Sequence, residues 1–182
     1  MKKYLVLYYS KTGNSQFIAE KLAIKLGGVS KKIIPIIDSV VLLFLLSLLR
    51  IGIGTNVSKK EMEDYDEIII VGPIWGGCLI SPLRNTLKKS KKASKDIHFA
   101  LTCETKEEEK NSKYGYAQVL KEAGELGGKW VKTLEAFPTS LVNMDSPSWT
   151  PKLSEKIKFT EDNFNAVLKL RLENFVSKIK SS

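Results

Sequence analysis

The chain has 182 residues, enough for one domain spanning 1–182 with its own core and too few for a second of comparable size. At 43% hydrophobic and 27% charged residues it reads as globular, which excludes a disordered or fibrous chain. A formal charge of +9 leaves three partner classes to weigh, namely nucleic acid, an anionic membrane surface or an acidic redox protein, against the plain alternative of a lysine-rich soluble chain.

Tyr4 to Tyr9 is a short apolar run ending at a turn-like segment, which predicts a buried first strand. It flows into Ser10-Lys11-Thr12-Gly13 without a small-residue cleavage site, so the start does not read as a signal peptide. Asn14 to Leu26 has helical spacing, with Phe17, Ile18, Leu22 and Leu26 on one side and Gly27-Gly28 as the stop. Lys32 to Ile37 is predicted as the second strand and Asp66 to Val71 as the third. Ser81 is predicted to cap a helix that runs through Leu87, with Pro82 at its first position. Asp96 to Cys103 follows as a strand, Lys113 to Leu126 as a helix and Trp130 to Phe137 as the last strand. Pro138 to Leu153 holds three prolines and reads as a surface loop. Thr160 to Ile179 is predicted as a closing amphipathic helix, its stripe made of Phe164, Val167, Leu168, Leu172, Phe175, Val176 and Ile179.

Strands alternating with helices imply an α/β fold, a parallel sheet covered on both faces as a three-layer sandwich. Five strands suggest the order 2-1-3-4-5. One segment stands apart: Ser39 to Leu49 is apolar on every helical face. It is shorter than the ~20 residues of a membrane span. We read it as a helix buried against the sheet; the alternatives are a surface for a membrane or an apolar partner, through Val40 to Leu49, and a transmembrane helix.

Two loops carry chemistry. Ser10-Lys11-Thr12-Gly13-Asn14-Ser15 lies between a predicted strand and helix. Gly13 permits a tight turn close to a ligand, three hydroxyls offer donors, and the N–H groups of a helix start favour an anion. This stretch resembles the flavodoxin-family pattern Thr/Ser-x-Thr-Gly-x-Thr/Ser, which grips the phosphate of FMN. Ile68-Ile69-Ile70-Val71-Gly72-Pro73-Ile74-Trp75-Gly76-Gly77, with Ser81-Pro82 beyond it, is similar to the strand and loop that meet the isoalloxazine ring in that family.

The resemblance implies a flavodoxin-like domain binding FMN and acting as an electron carrier between redox proteins. It implies that Ser10, Lys11, Thr12, Gly13, Asn14 and Ser15 hold the phosphate and that Pro73, Ile74, Trp75, Gly76 and Gly77 frame the ring. Thr102, Cys103 and Glu104 would close the site. In many flavodoxins the third loop stacks an aromatic on the ring; here none occurs until Tyr114 and Tyr116. An open ring face would leave room for a substrate, so two alternatives stand beside the carrier. One is an NAD(P)H-dependent reductase of quinones or small acceptors; the other is a flavin-free interaction module. No catalytic acid or base is implied, because the cofactor does the chemistry. Glu104, Glu107, Glu108 and Glu109 read as a solvated acidic loop.

Rival chemistry is weak. Cys78 and Arg84 have the Cys-x5-Arg spacing of tyrosine phosphatases, but no glycine lies between them and Pro82 lacks an N–H. His98, the single histidine, falls in a predicted strand and reads as structural, and no histidine pair suggests a metal. Lys88 to Lys95 reads as the solvated end of a helix. It lacks the interleaved aromatics of base stacking, so no nucleic-acid partner is expected. Two cysteines, Cys78 and Cys103, are too few for a disulfide scaffold and fit a cytoplasmic protein, peripheral at the membrane if the apolar segment is a lipid surface.

Overall fold

The computed structural model describes residues 2–143 and 157–182. Five parallel strands form the sheet: β1 (Tyr4–Tyr8), β2 (Val29–Lys32), β3 (Glu67–Trp75), β5 (Asp96–Cys103) and β6 (Val131–Pro138). Their order, β2-β1-β3-β5-β6, is the predicted 2-1-3-4-5 with a short extra strand inserted in the numbering, β4 (Cys78–Leu79), which folds back antiparallel on the end of β3.

Alternation along each buried strand divides the core in two. Tyr4, Val6, Tyr8, Ile69 and Val71 pack on α1 (Asn14–Leu26) and α6 (Ala166–Lys180). Leu5, Leu7, Ile68, Ile70, Phe99 and Leu101 face the other layer, which contains α2 (Val40–Leu48), α3 (Lys59–Glu63), α4 (Ser81–Lys92) and α5 (Tyr116–Gly127). Covering on both faces explains why the central strands read as continuous apolar runs. Helix α1 ends as its glycines require: Gly27 turns left-handed at φ 64°, and Gly27 N–H and Gly28 N–H return to Ile24 O and Ala23 O.

The boundaries that differ do so for local reasons. The second strand is Val29–Lys32 rather than Lys32 to Ile37. It is the edge of the sheet, so it is mostly polar, and Pro35 has no N–H for a ladder. The isoleucines pair instead with 54–56: Ile36 N–H donates to Gly54 O and Ile34 N–H to Asn56 Oδ1. The third strand continues past Val71 to Trp75, and α4 continues past Leu87 to Lys92, carrying much of the lysine run in its last turns. Ser81 is not the cap of α4: Ile80 occupies that position, and Ser81 N–H is held by Ser47 Oγ at 2.9 Å. Helix α5 starts at Tyr116, after Gly115, whose added Cβ would lie 2.1 Å from Lys110 O. The last strand is shifted one residue, to Val131–Pro138. The closing helix starts only at Ala166, capped by Asn165 Oδ1 on Leu168 N–H, and residues 160–163 form a turn. Phe164 is buried before that helix begins, whereas Val167, assigned to the stripe, is exposed. Of the expected Pro138 to Leu153 loop, Thr139–Asn143 is a short 3-10 turn and 144–153 lies outside the described residues.

The largest departure is the apolar segment. It is a helix, with Ser39 Oγ capping Leu42 N–H, but it is not buried: only Leu43 and Ser47 are.

His98 is structural, as predicted. It is fully buried in β5, with Nδ1 2.7 Å from Thr133 Oγ1 and Nε2 3.0 Å from Glu67 Oε2. Burial pushes its pKa below the ordinary 6.5, against the pull of the Glu67 carboxylate. The fold therefore prefers the neutral ring, and the unfolded chain takes up the proton first on acidification. The stability this contributes is whole above pH 6.5 and is lost as pH falls through the depressed folded value. Urea midpoints should decline between about pH 7 and pH 5. His98→Gln, which keeps a donor and an acceptor without titrating, should flatten that decline; an unchanged slope would place the acid sensitivity elsewhere.

Candidate functional site

Three parallel strands, β1, β3 and β5, end on the same side of the sheet, and the loops that follow them meet in one cleft of about 410 Å³. This is the carboxyl edge of an open α/β sheet, where such folds bind ligands.

The first wall is the turn from β1 into α1. Gly13 has φ 99°, a conformation in which an L side chain is strained, and its position faces open space. Its N–H donates to Ser10 Oγ at 3.0 Å, which closes the turn. Among the described residues no side chain caps α1, so the N–H groups of its first turn have no side-chain acceptor there. Ser10, Lys11, Thr12, Asn14 and Ser15 all line the cleft. The structure divides their roles. Thr12 makes no side-chain hydrogen bond among the described residues and is free to serve a ligand. Ser15 Oγ is buried against Thr102 Oγ1 at 2.8 Å, tying the first loop to the third. Lys11 pairs with Asp38. Asn14 does not offer its side chain: Nδ2 donates to Ile157 O and Oδ1 accepts from Phe159 N–H, clamping the chain that returns toward α6. Only its backbone N–H remains for an anion. Gly13 shapes the turn without lining the cleft.

The second wall is tighter than a loop. Gly76 (φ 55°) and Gly77 (φ 72°) form a two-residue hairpin turn between Trp75 and Cys78, which pair across it. Two central residues at positive φ are the signature of a primed turn, whose twist matches that of the strands. Pro73, Ile74, Trp75, Gly76 and Gly77 all line the cleft. Trp75 is braced edge-to-face by Tyr9 at 5.9 Å. Tyr9 itself is buried with no partner for its hydroxyl among the described residues, and burial, with help from Asp38, pushes its pKa up to about 12.

The third wall is Thr102, Cys103, Glu104 and Thr105. Burial pushes the Cys103 thiol up to about 12, so it remains protonated and is no nucleophile. Of the four glutamates of this loop, Glu104 alone lines the cleft; Glu107 turns away to bind Tyr116 and Arg171. The two tyrosines separate in the same way. Tyr114 lines the cleft and is exposed, while Tyr116 is buried and donates to Glu107.

Thr105 and Thr139 also line the cleft and were not anticipated. Thr139 directly follows β6, so the rule that places ligands beyond strand ends points to it. Cys78 and Arg84 form no anion clamp: Cys78 is in β4, and Arg84 is buried in α4 on Glu122 at 2.7 Å.

No family model matches the sequence, and no curated protein matches it. Solved structures do. A flavoprotein from Lactobacillus acidophilus NCFM, crystallised in complex with FMN, is 19% identical with a TM-score of 0.57, covering 79% of this chain and 97% of its own. A flavodoxin from Streptococcus pneumonia TIGR4 is 13% identical with a TM-score of 0.56, covering 98% of each chain. A Fusobacterium nucleatum flavodoxin bound to flavin mononucleotide is 14% identical with a TM-score of 0.52, covering 100% of this chain and 98% of its own. At these identities the likeness establishes the architecture: the chain has the flavodoxin-like fold.

Proposed function

We propose that the cleft holds FMN non-covalently and that the chain carries electrons between protein partners. The observation that carries this reading is the convergence of three strand ends on one cleft, with an uncapped helix start on one wall and Trp75 and Tyr114 on others. The residues present fit the group. The Thr12 hydroxyl and the first-turn N–H groups of α1 suit a phosphate monoester, and Ser10 holds the turn that presents them. Ile74, Trp75 and the Gly76–Gly77 backbone suit the flat ring, and Tyr114 supplies the aromatic that the third loop itself lacks. When bound, FMN supplies one- or two-electron transfer. Glu104 places a carboxylate in the cleft, which disfavours added negative charge nearby. Burial keeps Cys103 out of acid–base work.

The protein purified without added flavin should be yellow or should bind FMN saturably on titration. Thr12→Ala should weaken that binding about tenfold or more, the value of a hydrogen bond to a charged group. A colourless protein that takes up no FMN would overturn the assignment. Rapid steady-state oxidation of NAD(P)H with an added quinone would replace the carrier role by a reductase in the same cleft.

A further inference from the structure

Helix α2 is inside out. Its buried stripe is Leu43 and Ser47, and Ser47 donates to Leu43 O at 2.6 Å while accepting Ser81 N–H at 2.9 Å. At 100° per residue the opposite face is centred on Leu45. That face consists of Val41, Leu45, Leu48 and Leu49, exposed by 71%, 49%, 49% and 68%. The flanking segments add Ile34, Ile36, Ile37 and Ile51, all exposed. A helix facing water turns its polar residue out and its leucines in. This one buries its polar Ser47 beside Leu43 and turns Val41, Leu45, Leu48 and Leu49 outward, and a contiguous run of exposed aliphatic residues marks an interaction surface.

Charge selects the occupant. Residues 31–60 contain Lys31, Lys32, Arg50, Lys59 and Lys60 against one acid, Asp38, which is paired with Lys11. Lys31, Lys59 and Arg50 reach Glu61, Glu63 and Glu122. The last two pairs are long, Lys59–Glu63 is exposed at both ends and the Arg50 guanidinium is exposed, so both cations yield readily to another anion. Lys32 and Lys60 have no acidic partner among the described residues. A second copy would bring together two bodies of net charge +9, which repel. An anionic lipid surface attracts the same charge and accepts aliphatic side chains without a shaped groove.

We propose that α2 and its flanking segments dock on an anionic bilayer, with Val41, Leu45, Leu48 and Leu49 in the headgroup–acyl boundary and the lysines on lipid phosphates. The helix lies on the membrane rather than through it: among the described residues no helix is long and apolar enough to cross one. Phe44 sits against Gly76, so docking brings the hairpin wall of the cleft next to the lipid.

Vesicle flotation of the full chain tests this independently of flavin, because the docking face contributes no residue to the cleft. Binding to phosphatidylcholine–phosphatidylglycerol vesicles should exceed binding to phosphatidylcholine alone by about tenfold or more and weaken in high salt. Leu45→Ser with Leu49→Ser should reduce binding about tenfold without lowering the thermal midpoint, since both side chains face outward. A Leu45→Trp variant should shift its fluorescence to the blue on the anionic vesicles. Failure to float, or flotation unchanged by the double serine variant, would overturn the proposal, the latter by reducing it to general attraction of a basic protein. So would a dimer in sedimentation equilibrium that does not float and that the double serine variant dissociates, which would give the face to a second copy.

Discussion

Gly13→Asp should weaken FMN binding sharply while leaving a folded protein. Two effects combine at this position. An L residue at φ 99° is strained, at a cost of about 1–2 kcal/mol. The new side chain meets no atom within 4 Å, so the fold itself has room for it. The carboxylate then stands at the start of α1, beside the first-turn N–H groups proposed to hold the phosphate. At about 4 Å two like charges repel by about 1–4 kcal/mol between bulk water and a protein surface. The repulsion acts on the bound state alone and predicts a loss of about fivefold to several-hundredfold in affinity, whereas the strain burdens free and bound protein alike and lowers stability. Gly13→Asn separates the terms, since it keeps the strain and nearly the shape but not the charge. Affinity should fall from Asn to Asp far more than from Gly to Asn, and the gap between Asn and Asp should shrink as salt is raised. Titration by flavin fluorescence reads both. Equal affinities for all three would remove the phosphate from this turn.

The contrast between the two variants rests on a part of the site that local chemistry made legible. A strand ending in Ser-Lys-Thr-Gly and a helix beginning at Asn14 are sequential, so the turn between them needs no knowledge of the rest of the chain. The same holds for β5 and for the end of α1, where apolar runs and paired glycines mark the boundaries. What sequence did not reveal is non-local. The Asn14 side chain looked available for a ligand, yet it serves residues 157–159, more than 140 positions away. The sequence predicts the second strand over Lys32 to Ile37 because apolarity signals burial, whereas an edge strand is exposed and Val29–Lys32 is accordingly mostly polar. Helix α2 is apolar all round, so its pattern carries no information about which face packs. The placement of Ser47 against Ser81, with Leu43 buried beside it, shows that Leu45, Leu48 and Leu49 point outward. Strand β4 is the exception, since a Gly-Gly pair between apolar residues is a local hairpin signal.

That hairpin supports the second large effect. Gly77→Ala should destabilise the protein by about 2–4 kcal/mol, well beyond the cost of Gly76→Ala. Both glycines have positive φ, so each alanine incurs roughly 1 kcal/mol of backbone strain. Their surroundings differ. A Cβ on Gly76 would come 3.3 Å from the Phe44 ring edge, a side chain able to shift. On Gly77 it would come 2.8 Å from Tyr114 Cα and 3.0 Å from Lys113 O, which are backbone atoms. That backbone has little room to retreat, because Gly115 is already close-packed against the Lys110 carbonyl. Either the hairpin or the 113–115 segment must move, and each carries one aromatic wall of the cleft, Trp75 or Tyr114. Gly77→Ala should therefore weaken FMN binding as well as lower the urea midpoint, whereas Gly76→Ala should cost about 1 kcal/mol of stability. Urea unfolding of the flavin-free variants measures the first effect and FMN titration the second. If the two alanine variants unfold at the same urea concentration, the contact between Gly77 and Tyr114 is not made in solution, and Tyr114 is no wall of the site.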